Sequence, residues 1–246
     1  MNELKFNPPL IAHRGASASA PENTMAAFVK AAQLGLKWVE FDVTLASCGQ
    51  VIVFHDDLLD RCTSGQGRVI DYPYHYLSTL DAGGWFSPLF SSEKIPLLAQ
   101  VLVFLKEMKM AANIELKAFP GNEENLVKSV LQVVSQYNSL TDKTILFSSF
   151  SLDVLKCLRR HAPKSNIALL LHEWRANWEG SCESLECISV NVNEEIMTEA
   201  KAKQIKGMNK SLLCYTINNV ARAMELYAWG VDAIFTDVPE QLLRCF

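Results

Sequence analysis

The stretch WVEFDVTL at residues 38–45, followed after Ala46-Ser47-Cys48-Gly49-Gln50 by VIVFHD at residues 51–56, decides how the chain is read. The first run is apolar at nearly every position, as expected of a parallel strand covered on both faces. Glu40 and Asp42 interrupt it two residues apart, which places both carboxylates on one face and Val39, Phe41 and Val43 on the other. Ser47-Cys48-Gly49 is too short for a parallel crossover, so one of the two runs leaves the sheet as a hairpin arm or a short extension.

Outward from this stretch the same kind of run recurs. Candidate strands are Leu10–Gly15, Trp38–Leu45, Val51–His55, Ala112–Lys117, Thr144–Phe150, Asn166–His172, Cys187–Asn193, Ser211–Asn218 and Asp232–Asp237. Between them lie the helical patterns Thr24–Leu34, Leu97–Met108, Glu123–Tyr137, Leu152–His161, Glu194–Lys206 and Val220–Trp229. Leu97, Val101, Leu102, Leu105 and Met108 form the apolar stripe of one of them. Asn23 or Thr24 can cap the first helix and Ser151 another, while Gly35, Gly207 and Gly230 stand where helices end. The alternation is that of an α/β chain and fits a (β/α)8 barrel, with one domain over 1–246. Residues 57–94, rich in Gly and Pro and poor in periodicity, read as an insertion over one barrel mouth.

The chain has 246 residues, 49% of them hydrophobic and 20% charged, enough to bury a core without disulfides; this excludes disorder. A net charge of -4 supplies no field for a polyanion, so no nucleic-acid partner is expected. Met1 to Pro9 carry no apolar signal region, and no apolar stretch approaches the ~20 residues of a bilayer span. Seven dispersed cysteines with no Cys-x-x-Cys pair suggest reduced thiols in a cytoplasmic protein.

Barrel chemistry sits at the C-terminal ends of the strands. There the chain delivers His13-Arg14-Gly15, Glu40 and Asp42, His55-Asp56, and Glu115-Leu116-Lys117. Three inward carboxylates, Glu40, Asp42 and Glu115, need a compensating cation, and oxygen ligands without thiolate favour Mg2+ or Ca2+. His13 and His55 each close an apolar strand and can divide general acid and base roles near neutral pH. Arg14 and Lys117 can hold an anion, Arg14 through its planar fork. His75, His161 and His172 read as ordinary packed or capping residues. With no Gly-x-Ser-x-Gly elbow, P-loop or Gly-x-Gly-x-x-Gly, the set suits attack at a phosphoryl centre.

These residues and their order resemble the glycerophosphodiester phosphodiesterases. The resemblance is carried by His13-Arg14-Gly15, Pro21-Glu22-Asn23-Thr24, Glu40-x-Asp42, Val53-Phe54-His55-Asp56 and Leu59-Asp60-Arg61 with Thr63 and Gly65. It continues in Trp85-Phe86, Ile95-Pro96, Glu115-Leu116-Lys117, Ser148-Ser149-Phe150, Tyr215-Thr216-Ile217-Asn218, Gly230-Val231-Asp232 and Thr236-Asp237-Val238-Pro239. It implies a (β/α)8 barrel with a small insertion after the His-Asp strand. It also implies one divalent cation on Glu40, Asp42 and Glu115, His13 and His55 as the acid–base pair, and Arg14 and Lys117 on the phosphate. The implied reaction is attack by the glycerol 2-hydroxyl and then opening of a cyclic phosphate by water, giving sn-glycerol 3-phosphate and an alcohol such as choline or ethanolamine. The chain departs from the usual pattern at Cys48, at Tyr215 where many relatives have tryptophan, and at Leu97-Leu98-Ala99-Gln100 in place of Thr-Leu-Glu-Glu.

The expected substrate is a small glycerophosphodiester, handled by a monomer or homodimer without stable membrane insertion. An alternative is a phospholipase-like diesterase acting on lysophospholipids or phosphoinositides, with Trp85, Phe86, Leu89 and Phe90 as an apolar docking face, although Trp85-Phe86 is expected to pack on the barrel. A second is a non-catalytic barrel that binds phosphodiesters, which the loss of a ligand or histidine would have signalled.

Overall fold

This computed structural model describes residues 4–137 and 144–245, so the first three residues of the N-terminal stretch read above lie outside the described residues. Its strands are β1 (Leu10–His13), β2 (Trp38–Leu45), β3 (Val51–Val53), β4 (Ala111–Leu116), β5 (Ile145–Ser149), β6 (Ile167–Leu171), β7 (Ser189–Asn193), β8 (Ser211–Tyr215) and β9 (Ala233–Thr236). Eight of them run parallel in the order β1-β9-β8-β7-β6-β5-β4-β2, and β1 also pairs with β2, which closes the sheet into a (β/α)8 barrel. β3 is the hairpin arm. It pairs antiparallel with the end of β2, Val43 opposite Val53 and Leu45 opposite Val51.

The helices are α1 (Met25–Gln33), α2 (Tyr74–Leu77), α3 (Leu98–Met108), α4 (Glu123–Ser135), α5 (Leu152–His161), α6 (Trp178–Ser184), α7 (Glu199–Gly207), α8 (Val220–Ala228) and α9 (Pro239–Leu242). Thr24 caps α1 by accepting the Ala27 N–H, and Ser151 caps α5 by accepting that of Val154. Asn23 is thereby released from capping, and its amide goes to Asp42 instead. Gly35 and Gly230 take positive φ after α1 and α8, but Gly207 ends α7 as a helical residue and Asn209, at φ +56°, turns the chain. Leu97 precedes α3 rather than joining its buried stripe, and the Gln100 side chain accepts its N–H at 2.8 Å. Met108, at the far end of that stripe, is 45% exposed.

Strand alternation sorts β2 into two sets. Val39, Phe41 and Val43 face the helices, where the Phe41 ring meets Phe28 of α1 edge-on at 5.5 Å. Trp38, Glu40 and Asp42 share the other face, toward the barrel interior. The base of that interior is filled by Ile11, Trp38, Ala111, Leu146, Ala168, Leu213, Ala233 and Phe235, with Leu4 and Phe6 packed against them. Above this apolar layer lies a hydrogen-bonded polar one: Asn113 donates to Ser148, Asn191 to Asn113, and Ser189 to Asn191.

The segment 57–94 is more ordered than its composition suggests. Leu59, Cys62, Val69, Leu77, Leu80 and Ala82 form a small core with Ala46, Ile52, Phe54 and Ile95, so the insertion packs as a cap on the arm. Trp85 makes contacts within the insertion. Its indole N–H donates to Ala82, its ring meets Phe86 edge-on at 5.8 Å, and it is 43% exposed.

The turn after β1 is tightly packed against α1. Gly15 sits at φ +83°, and a Cβ placed there would stand 2.6 Å from the Ala27 Cβ and 2.7 Å from its carbonyl carbon. Gly15→Ala therefore forces both a left-handed alanine and a clash with α1, and is expected to cost at least ~1–3 kcal/mol. Urea unfolding measures this, and an unchanged midpoint would contradict it.

Candidate active site

Pairing of β2 with β4 sets Glu40 opposite Asn113 and Asp42 opposite Glu115. The three carboxylates present oxygens within 4.8 Å of one another, with Glu40 and Asp42 buried. Burial, reinforced by the Asp42 and Glu115 charges, pushes Glu40 well above the usual carboxylate range. Burial and Asp42 push Glu115 up to about 8, against the pull of Lys117 and Arg14. Burial works on Asp42 too, but Arg14, His55, Lys117 and the Asn23 amide outweigh it and hold this carboxyl below its ordinary value. Crowded all-oxygen donors of this kind fit a hard divalent cation, whose charge would let all three ionise together.

Arg14 follows β1 in a left-handed conformation, φ +54°. That turn points its main-chain N–H at Glu40 Oε2, 2.9 Å away, while its Nε lies 3.5 Å from Asp42 Oδ2 and its Nη1 donates to Glu22 Oε1 at 2.7 Å. The buried Nε has no hydrogen-bond partner among the described residues. Asn23, from the same loop, donates to Asp42 Oδ2 at 2.9 Å.

Each of the two histidines at the mouth rests on an aspartate. His13 Nδ1 is 2.7 Å from Asp237 Oδ1, and its Nε2 faces Glu40 Oε2 at 3.9 Å. Asp237 is also contacted by the Ser17 hydroxyl at 2.8 Å and by the Asn218 amide at 2.7 Å. Burial raises the Asp237 carboxyl, but the His13, Asn218 and Ser17 hydrogen bonds win and bring it to about 2. His55 Nδ1 is 2.5 Å from Asp56 Oδ1, and its Nε2 is 3.2 Å from Lys117 Nζ. An ammonium can only donate, so Nε2 accepts and the ring proton sits on Nδ1, toward Asp56. Burial lowers the His55 imidazole, Arg14 and Lys117 add to this, and Asp42 and Asp56 oppose it.

Glu40, Asp42, Glu115, His13, His55, Arg14 and Lys117 thus converge on one barrel mouth. The remaining histidines stand outside this set: His161 pairs with Glu124 at 2.8 Å, His172, just after β6, meets the Asn193 amide at 3.3 Å, and His75 is exposed. A cleft beside the acidic cluster is lined by His13, Glu40, Asn113 and Glu115 together with Phe150, Leu170, Tyr215 and Phe235. Tyr215 lines this cleft and donates its hydroxyl to the Leu171 carbonyl at 2.9 Å. Sequence reasoning assigns no role at the site to Asp237, Glu22, Asn23 or Arg61, although all stand within the motifs that carry the resemblance. Their partners lie up to 224 residues away, so only the fold shows what they hold. No helix among the described residues is long and apolar enough to cross a membrane.

Residues 13–241 match the glycerophosphoryl diester phosphodiesterase family. A glycerophosphodiester phosphodiesterase of Caldanaerobacter subterraneus subsp. tengcongensis is 33% identical over 244 residues, covering 96% of each chain. One of Bacillus altitudinis is 28% identical over 242 residues, again covering 96% of each. Among solved structures, an Oleispira antarctica phosphodiesterase in complex with the product sn-glycerol-3-phosphate superposes with a TM-score of 0.93, at 34% identity and 96% coverage of both chains.

The depressed Asp237 carboxyl ties stability to acid. Its contribution is complete above the ordinary carboxylate value near ~4 and is lost as the pH falls through about 2. Asp237→Asn is expected to flatten the dependence of unfolding free energy on pH across that window, and identical slopes in mutant and wild type would refute the linkage.

Proposed function

The chain belongs to the glycerophosphoryl diester phosphodiesterase family, and from that premise we propose that it hydrolyses small glycerophosphodiesters, glycerophosphocholine and glycerophosphoethanolamine among them, to sn-glycerol 3-phosphate and a free alcohol. It is a phosphoric diester hydrolase. The observation that carries the finer reading is the convergence of the carboxylate trio with two aspartate-backed imidazoles and two cationic side chains. The product held by the Oleispira antarctica relative supports the same reading.

In this reading Glu40, Asp42 and Glu115 hold one divalent cation, Mg2+ or Ca2+ by the hardness of the donors. When bound, the cation supplies charge neutralisation at the phosphate and acidifies a hydroxyl near it. Arg14 and Lys117 bind the phosphate oxygens. His13 and His55 divide the proton transfers: one takes the proton of the attacking hydroxyl, the other gives one to the departing alcohol, and the roles reverse when water attacks. Asp237 and Asp56 fix the ring orientations this requires. The whole chain serves as one catalytic unit, with the insertion at 57–94 as its mouth cap. Seven free cysteines fit work in a reducing cytoplasm, on a small molecule rather than a nucleic acid.

A second reading, a diesterase for lysophospholipids, draws on one observation: Trp85 and Leu89 of the insertion are 43% and 90% exposed. Release of sn-glycerol 3-phosphate from glycerophosphocholine, set against turnover of lysophosphatidylcholine, separates the two, and preference for the lipid would overturn the first. His13→Ala and His55→Ala are each expected to lower kcat by ~10²–10⁴ while the protein still binds its cation by calorimetry; a rate near wild type in either would remove that residue from the acid–base pair.

Cation binding has its own signature. Glu115, pushed up to about 8, carries a proton at pH 7 that a cation must displace, and burial shifts Glu40 in the same direction. Calorimetry of Mg2+ or Ca2+ binding in buffers of different ionisation enthalpy is expected to show proton release at pH 7 that fades above pH 9. Chelation is expected to abolish turnover with the circular dichroism unchanged, and activity that survives it would sink the metal assignment.

A further inference from the structure

Arg61 lies in the insertion, outside the set of residues given a role above, yet its guanidinium joins the two halves of the mouth. Its Nε and Nη2 donate to Asp56 Oδ2 and Oδ1 at 2.5 and 3.0 Å. Its Nη1 and Nη2 donate to Glu22 Oε2 and Oε1 at 2.8 and 2.7 Å. Two carboxylates are thus gripped in bidentate fashion by one planar group, and each passes the contact on. Asp56 Oδ1 also meets His55 Nδ1 at 2.5 Å, and Glu22 Oε1 also accepts from Arg14 Nη1 at 2.7 Å.

The geometry points to Arg61 as a positioning residue that fixes His55 and Arg14 relative to each other through Asp56 and Glu22. The inference rests on the roles proposed for His55 and Arg14 in the diesterase. A carboxylate bonded through one oxygen can rotate about its side-chain torsions; gripped through both, its plane is set, and so is the direction of the bond it offers to a third group. Four of the five guanidinium N–H groups are occupied by Glu22 and Asp56, leaving no fork for a phosphate, so Arg61 acts through its neighbours and not on substrate.

The backbone that carries Arg61 is held firmly. Leu59 and Cys62 are buried in the insertion core, the Leu59 N–H donates to Gly67, and the Thr63 N–H and hydroxyl both bond the Leu59 carbonyl. The Trp85 ring covers the outer side, its centroid 6.0 Å from the guanidinium carbon. The insertion thereby works as a brace: its small core anchors an arginine that reaches back to the β1–α1 loop and to the residue after His55.

The test compares Arg61→Met and Arg61→Lys with wild type on glycerophosphocholine, with circular dichroism and urea unfolding giving the folded fraction. Misplacing one reacting group by about an ångström can cost ~10²-fold. We expect kcat per folded molecule to fall ~10–100-fold in both variants, with KM changed far less. Lysine is not expected to rescue, since an ammonium cannot grip two carboxylate planes. Recovery of most of kcat by Arg61→Lys would mean that only the charge matters, and a kcat within twofold of wild type in Arg61→Met would overturn the proposal. A second readout is independent of turnover: the proton NMR signal of the His55 Nδ1–H, assigned with His55→Gln, is expected to stay sharp in wild type and broaden by faster exchange in Arg61→Met. If wild type fails to cleave the diester but this signal still responds, the diesterase reading falls and the brace stands. An unaltered signal removes the brace whatever the activity.

Discussion

Three carboxylates within 4.8 Å of one another, two of them buried, are the arrangement to which the rest of the barrel mouth answers. A low-dielectric interior does not tolerate three such charges uncompensated. The protein's own answer is partial. Arg14 bends into a left-handed turn so that its main-chain N–H reaches Glu40, Asn23 gives up capping to bind Asp42, and Lys117 lies 3.8 Å from Glu115. Even so Glu40 and Glu115 stay shifted toward their neutral forms, so the neighbouring cationic and amide groups compensate the trio only in part.

Around the trio the polar contacts form a circuit. From Asp42 it passes to Arg14, Glu22, Arg61, Asp56, His55 and Lys117, and returns at Glu115. His13 and Asp237 stand beside it: Ser17 bonds the Asp237 carboxylate and the His13 carbonyl, and Asn218 joins Asp237 to Thr236 of β9. Such networks add little net stability for their desolvation cost, but a fully bonded one restricts each member to a single orientation. The polar layer of Asn113, Ser148, Ser189 and Asn191 beneath it lets the interior pass from apolar base to ionic mouth without an abrupt boundary.

The barrel is legible in the sequence because burial on both faces leaves long β-branched and apolar runs, and because Glu40, Asp42, His13 and His55 interrupt or end those runs at the register the strands impose. α6 is not legible: Glu179, Gly180, Ser181, Glu183 and Ser184 leave only Trp178 and Cys182 on its buried side. The order within 57–94 escapes for a different reason. Its core residues are shared with Ala46, Ile52, Phe54 and Ile95 and follow no local period. Arg61, Glu22 and Asp237 are visible as motif members, but what each one holds depends on contacts made across the fold. The partners of Trp85, an acceptor at Ala82 and a guanidinium at Arg61, both within the insertion, are likewise set by the fold and not by local pattern.

The contact between His13 and Asp237 spans 224 residues, and β1 must also find β9 before the barrel closes. During synthesis, at ~5–20 residues per second, roughly 10–45 s separate the emergence of the histidine from that of its aspartate. For that interval a nascent chain carries the carboxylates, both imidazoles, Arg14 and Lys117 without the strand that closes them into a mouth. Competence therefore arrives in a single late event, and a ribosome stalled before residue 237 leaves a chain in which His13 has no aspartate to orient it.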